Sequence, residues 1–97
     1  MSETKIKVGD CFKTAVFGGY EYAIIVYDSG SGIYRADTVK ITKNGFSAEL
    51  NQHCMHWQFR ECERITYHEF ESRLNDVYNT IKLIQSGKTR NNANGIE

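Results

Sequence analysis

Between Thr66 and Ile84, the residues Tyr67, Phe70, Leu74, Val77, Ile81 and Ile84 are separated by three, four, three, four and three positions. On an α-helix that spacing sets all six on one side, whereas a strand of period two would scatter them over both faces. The chain is therefore expected to form a helix here, and its fold is constrained by the need to cover that stripe. Everything ahead of it reads as strands and turns. The expected fold class is α+β: a small curled antiparallel β-sheet or barrel of about five strands, followed by one C-terminal amphipathic α-helix.

Local signals place the ends of this helix. Thr66 is a natural N-cap, and Glu69 three residues on would complete a capping box. Ile65 and Phe70 stand at the two positions of a hydrophobic staple. Glu69 and Glu71 suit the positive end of the helix dipole. Gly87 is a candidate left-handed terminator, which predicts a helix over 67–86 and a polar tail over 88–97. One domain over 1–87 is expected, because 97 residues are too few for two.

The strands follow from alternation and from turn residues. A short strand is expected near Lys5–Val8, then Cys11–Phe17, a Gly18-Gly19 turn, and Tyr20–Tyr27. The last of these is rich in β-branched and aromatic residues and apolar on both faces, which calls for cover on both sides. After the Asp28–Gly32 loop comes a strand over Ile33–Thr42. Asn44-Gly45 then reads as a type I′ hairpin turn leading into Phe46–Leu50. Residues 54–60 alternate, with Met55, Trp57 and Phe59 on one face, and predict a further strand. In element order and turn placement this outline resembles small SH3-like barrels with an added C-terminal helix. That likeness implies a fold and carries little about function.

The bulk numbers narrow the function classes. Twelve basic and twelve acidic residues give zero net charge, whereas a dedicated duplex-DNA binder carries a basic excess. The charge is segregated. Residues 60–76 hold three Arg and five acids, while residues 82–97 hold Lys82, Lys88 and Arg90 against Glu97. The longest unbroken apolar run, Tyr22 to Tyr27, cannot span a bilayer. An odd count of three cysteines argues against a closed disulfide framework. With no signal-type segment at residues 1–5, these features lead to the expectation of a cytoplasmic, reducing setting.

Candidate chemistry is sparse. His53, Cys54, His56, Cys62 and His68 fall within sixteen residues, but no CxxC or HxxxH pair is present, so zinc is weakly supported. Cys11, Cys54 or Cys62 could act as a nucleophile beside a histidine, yet no signature selects one. Small core thiols are the simpler account. Gly18-Gly19-Tyr20 and Ser29–Gly32 match no phosphate-loop pattern. No catalytic residue, metal site or cofactor is expected.

Aromatic content offers more. Tyr20, Tyr22, Tyr27 and Tyr34 lie on or near two adjacent strands, with Arg35, Lys40 and Lys43 close in sequence. Such a surface can stack bases and meet phosphates, which gives one reading as a nucleic-acid-binding β-barrel. The preferred reading is a non-enzymatic interaction module that binds another protein or complex as a small adaptor or inhibitor, for instance a viral protein that blocks a defence complex. Tyr20, Tyr22, Tyr34 and Arg35 are the expected contact residues, because aromatics and Arg dominate binding hot spots. The helix stripe is expected to dock on its own sheet; the alternative is pairing of two copies in a homodimer, and both can hold if an edge of the helix stays exposed.

Overall fold

Five antiparallel strands precede one helix in the computed structural model, which describes residues 5–94, with side chains described for 5–55 and 58–84. The strands are β1 (Cys11–Val16), β2 (Gly19–Asp28), β3 (Ile33–Thr42), β4 (Gly45–Met55) and β5 (Glu63–Ile65). A 3-10 segment (His56–Glu61) separates β4 from β5, and α1 (Tyr67–Asn94) ends the described chain. The strand order is β4-β3-β2-β1-β5. This is the expected α+β class, but β4 and β5 are the two edges, so the sheet curls without closing into an SH3-like barrel.

Two hairpins meet at one end of the sheet. Val16 pairs with Gly19 across Phe17-Gly18, and Thr42 pairs with Gly45 across Lys43-Asn44. The predicted type I′ turn over Asn44-Gly45 does not form: the two loop residues are Lys43 and Asn44, and neither has the positive φ that turn requires. Asn44 keeps a negative φ, and Gly45, at φ +133°, absorbs the left-handed geometry as the first residue of β4. The Thr42 hydroxyl accepts from the Asn44 N–H at 3.1 Å and so stands in for part of the turn. The Lys43 N–H donates to the Gly18 carbonyl at 3.2 Å and ties the two hairpins together. Gly19 is required by proximity: a Cβ there would collide with the Ile41 carbonyl.

Both faces of the sheet carry a core, as the double-sided β2 strand demands. On the first face Phe12, Ile25, Tyr34, Ala36, Cys54 and Phe59 form one buried cluster. On the second Cys11, Tyr22, Val39, Ile65 and Phe70 form another. A register shift between Ile25 and Tyr27 interrupts strict alternation in β2. Ahead of that shift alternation is intact, and Tyr22 and Ile25, three residues apart, anchor opposite layers. The 3-10 segment covers the first face through Phe59, whose ring lies 4.8 Å from Phe12 and 6.1 Å from Tyr34.

Three expectations need correction. Residues 56–61 are a 3-10 segment, not strand: the Gln58 side chain accepts from the Met55 N–H at 2.6 Å and closes a turn that extended backbone could not hold. Residues 5–8 form no strand. The chain turns at Val8-Gly9, with the Lys7 N–H donating to the Asp10 carboxylate at 3.0 Å. The helix does not stop at Gly87 but continues to Asn94, so residues 88–94 are helical rather than a tail. A glycine inside a helix costs about 1 kcal/mol against alanine, and nothing in the local sequence offsets it.

Candidate interaction surface

α1 begins where the sequence places it. The Thr66 hydroxyl accepts from the Glu69 N–H at 3.1 Å, which satisfies one of the orphan amides of the first turn. The Glu69 carboxylate does not return to complete a capping box. It reaches across to β1 and pairs with Lys13 at 3.2 Å, fixing the first turn to the sheet. Ile65 and Phe70 join the same buried cluster, as a staple would.

The stripe then meets two environments. Phe70, Val77 and Ile84 recur every seven residues and share nearly one angular position on the helix. Phe70 is 3% exposed and Val77 packs half-buried against the cluster, but Ile84 is 63% exposed. A helix of 28 residues is about 42 Å long, and only its beginning lies on the sheet. The radius of gyration is 16.9 Å, against about 12–13 Å for a compact chain of this length. The longest dimension is 62 Å and the other two are 23 and 21 Å. Expected docking of the whole stripe on the sheet is thus corrected: the sheet covers its first half and α1 runs on past it. Leu74, Tyr78, Ile81 and Ile84 form a row at helical spacing, all exposed, with Leu83 exposed beside it.

The four residues expected to make contacts do not form one surface. Tyr22 is 7% exposed in the core of the helix-covered face. Tyr34 is 9% exposed in the core of the opposite face, and burial pushes its hydroxyl pKa up, aided by the nearby Asp28 charge. Tyr20 is 44% exposed on the helix side, with the Lys13 ammonium 5.0 Å from its ring centroid. Arg35 is exposed and lies over the Tyr27 ring at 5.6 Å. Sequence reasoning placed the stripe correctly but did not single out Leu74, Tyr78, Ile81 and Ile84 as its uncovered part. The signal was the strict three-four spacing, which a helix meeting only a short stretch of sheet has no need to keep.

The first face holds a small cleft of 160 Å³ lined by Thr14, Glu21, Gln52, Cys54, Phe59 and Cys62. Ligand pockets usually run to about 300–1,000 Å³. A second hollow of 300 Å³, at the foot of that range, is lined by polar groups including Glu21, Lys40 and Glu49. Burial raises the pKa of Cys54, helped by the Glu21 charge, and that of Cys62, where a hydrogen bond with Thr14 opposes the rise. Burial likewise raises Cys11, with Asp10 adding to it. Each thiol donates to a backbone carbonyl at 3.5 Å: Cys11 to Gly9, Cys54 to Gln52 and Cys62 to Gln58. These groups are held as neutral thiols, the form least suited to nucleophilic attack.

Among the described residues no three His, Cys, Asp or Glu side chains are grouped to hold a metal ion. His53 and His68 are exposed on β4 and α1, while the His56 side chain lies outside the described residues. No described helix is long and apolar enough to cross a membrane. No protein-family model, curated protein or solved structure matches the chain.

Proposed function

We propose that this chain is a non-enzymatic protein-binding module, of the adaptor or inhibitor kind, whose contact surface is an exposed row of α1 that starts beside the sheet and runs past it. The observation that carries this reading is the exposed row Leu74, Tyr78, Ile81 and Ile84. Contiguous exposed apolar surface of this kind marks docking sites, and an amphipathic helix recognises its partner through such i, i+3, i+4 anchors. The neutral, carbonyl-bonded thiols and the small cleft add support for binding over chemistry. The nucleic-acid alternative has less behind it. Tyr22 and Tyr34 lie in the two cores, so their rings are not available as stacking platforms.

Affinity capture tests the proposal, with immobilised wild type and a Leu74→Glu/Ile81→Glu variant offered the same cell extract, in which a tagged copy of this chain counts as a captured protein. Both substituted side chains are exposed, so the variant is expected to keep the wild-type circular dichroism. Partners retained by the wild type and lost from the folded variant support the reading. An identical set on both columns removes it.

A further inference from the structure

We infer that the occupant of this surface is a second copy of the same chain, paired through α1 in antiparallel orientation; the inference rests on the preceding reading of the helix as a docking surface. Three observations bear on it. The stripe keeps three-four spacing from Tyr67 to Ile84, and although its own sheet takes Phe70 and Val77, Leu74, Ile81 and Ile84 continue the repeat as an exposed seam on which a second helix can lie. Beyond Val77 the helix leaves its own sheet, and Ile81 is 40% and Ile84 63% exposed; Leu74, one turn before Val77, is 39% exposed at the margin of the covered part.

The third observation is charge. Within α1, residues 67–76 carry Glu71 and Asp76 against Arg73, with Glu69 already paired to Lys13 of β1, while residues 77–94 carry Lys82, Lys88 and Arg90 and no acid. A parallel pair would set acidic half beside acidic half and basic beside basic. An antiparallel pair sets each acidic half beside the partner's basic half and also opposes the two helix dipoles. Geometry agrees with charge. The sheet sits at the beginning of α1, so antiparallel pairing carries the two sheets to opposite ends of the seam. Parallel pairing would crowd them at one end. The arrangement is self-complementary, as a two-fold dimer requires. It brings the Leu74 region of one copy to the Ile84 region of the other.

The test has two arms on the full chain. Sedimentation equilibrium over a concentration series should give a dimer for the wild type, and Ile81→Glu/Ile84→Glu should weaken association at least tenfold with circular dichroism unchanged. For orientation, a short bismaleimide is applied to Leu74→Cys and Ile84→Cys, alone and mixed, with linked peptides read by mass spectrometry. Antiparallel pairing predicts a 74-to-84 link in the mixture and little 74-to-74 link. A dominant 74-to-74 link overturns the orientation. A wild type that stays monomeric at millimolar concentration overturns self-pairing. If affinity capture still separates wild type from the Leu74→Glu/Ile81→Glu variant, the docking reading survives that loss; if capture is also identical, both fall.

Discussion

The two halves of α1 carry one continuous pattern and meet opposite surroundings. Phe70 and Val77 press into the cluster of Cys11, Tyr22, Val39 and Ile65, while Ile81 and Ile84, on the same side of the same helix, are exposed. Periodicity reports which side chains share a face; the length and position of the neighbouring layer decide what that face meets. Here the covering layer is reached mainly through β1 and β2, and the helix outruns it. The first half is therefore held by tertiary packing. The second has only its helix propensity and any partner, and isolated helical segments of this length are marginal in water.

The largest expected effect breaks that contrast open. Phe70→Ala should cost about 3–5 kcal/mol, the usual range for removing a buried ring. Ile84→Ala should stay within about 0.5 kcal/mol, as exposed substitutions do. Urea titration of both variants, at concentrations low enough to exclude association, checks it. Comparable losses would mean that the helix end is packed after all.

Gly87→Ala comes next and has the opposite sign. If α1 continues through this position, alanine should strengthen the helical second half by about 1 kcal/mol. The gain should appear as slower amide exchange on either side of residue 87, with the sheet amides unchanged. A terminating glycine in the left-handed region would instead resist alanine, and exchange would quicken.

The smallest effect concerns the segment that leads into the sheet. Burial alone would raise the Asp10 pKa, but hydrogen bonds from the Arg64 side chain and the Lys7 backbone, with the charges of Arg64 and Lys7, together hold it below its ordinary value of 3.8. Arg64 Nη1 lies 2.6 Å from the carboxylate and joins β5 to the residues before β1. Because the folded pKa is the lower one, the contribution is complete above the ordinary aspartate range and is lost as the pH falls through the folded value. The stability gap between wild type and Asp10→Asn should accordingly narrow as the pH is lowered from about 5 through the acid range. A gap that holds constant across that window would show that the Asp10 charge is not what matters.

How far the fold could be read in advance depended on the range of the interactions that set each element. β1, β2 and β3 were legible because alternation and the intervening glycines are local. The start of α1 was legible because Thr66, Ile65 and Phe70 act within five residues. β5 was not: Glu63-Arg64-Ile65 has no strand pattern of its own and is extended because it pairs with Cys11–Lys13, some fifty residues away. The 3-10 segment was misread because Met55, Trp57 and Phe59 alternate, while the side chain that closes the turn is a polar Gln58 with no propensity signal. The expected contact residues Tyr22 and Tyr34 were legible as strand aromatics. Their assignment to opposite cores depended on the pairing of Tyr22 with Val39, an odd number of residues from Tyr34 on β3, and on the cover supplied by Phe59 and Phe70, and none of that is local. The helix end failed for the reverse reason. The stripe was plain, but the extent of sheet beneath it is a property of the assembled fold.

β4 has a further consequence. It forms one rim of the sheet, so along eleven residues every second amide and carbonyl points outward with no neighbouring strand among the described residues. A straight rim of that length would template any extended chain that drifted against it, including the same segment of another molecule. The pairing of β3 with β4 slips between Ala36 and Thr38, and Asn51 sits at φ +56° with its N–H turned in to the Asp37 carboxylate. That kink divides the rim into two stretches too short and too differently aimed to be extended together. The molecule thereby discourages ribbon-like growth along its strands.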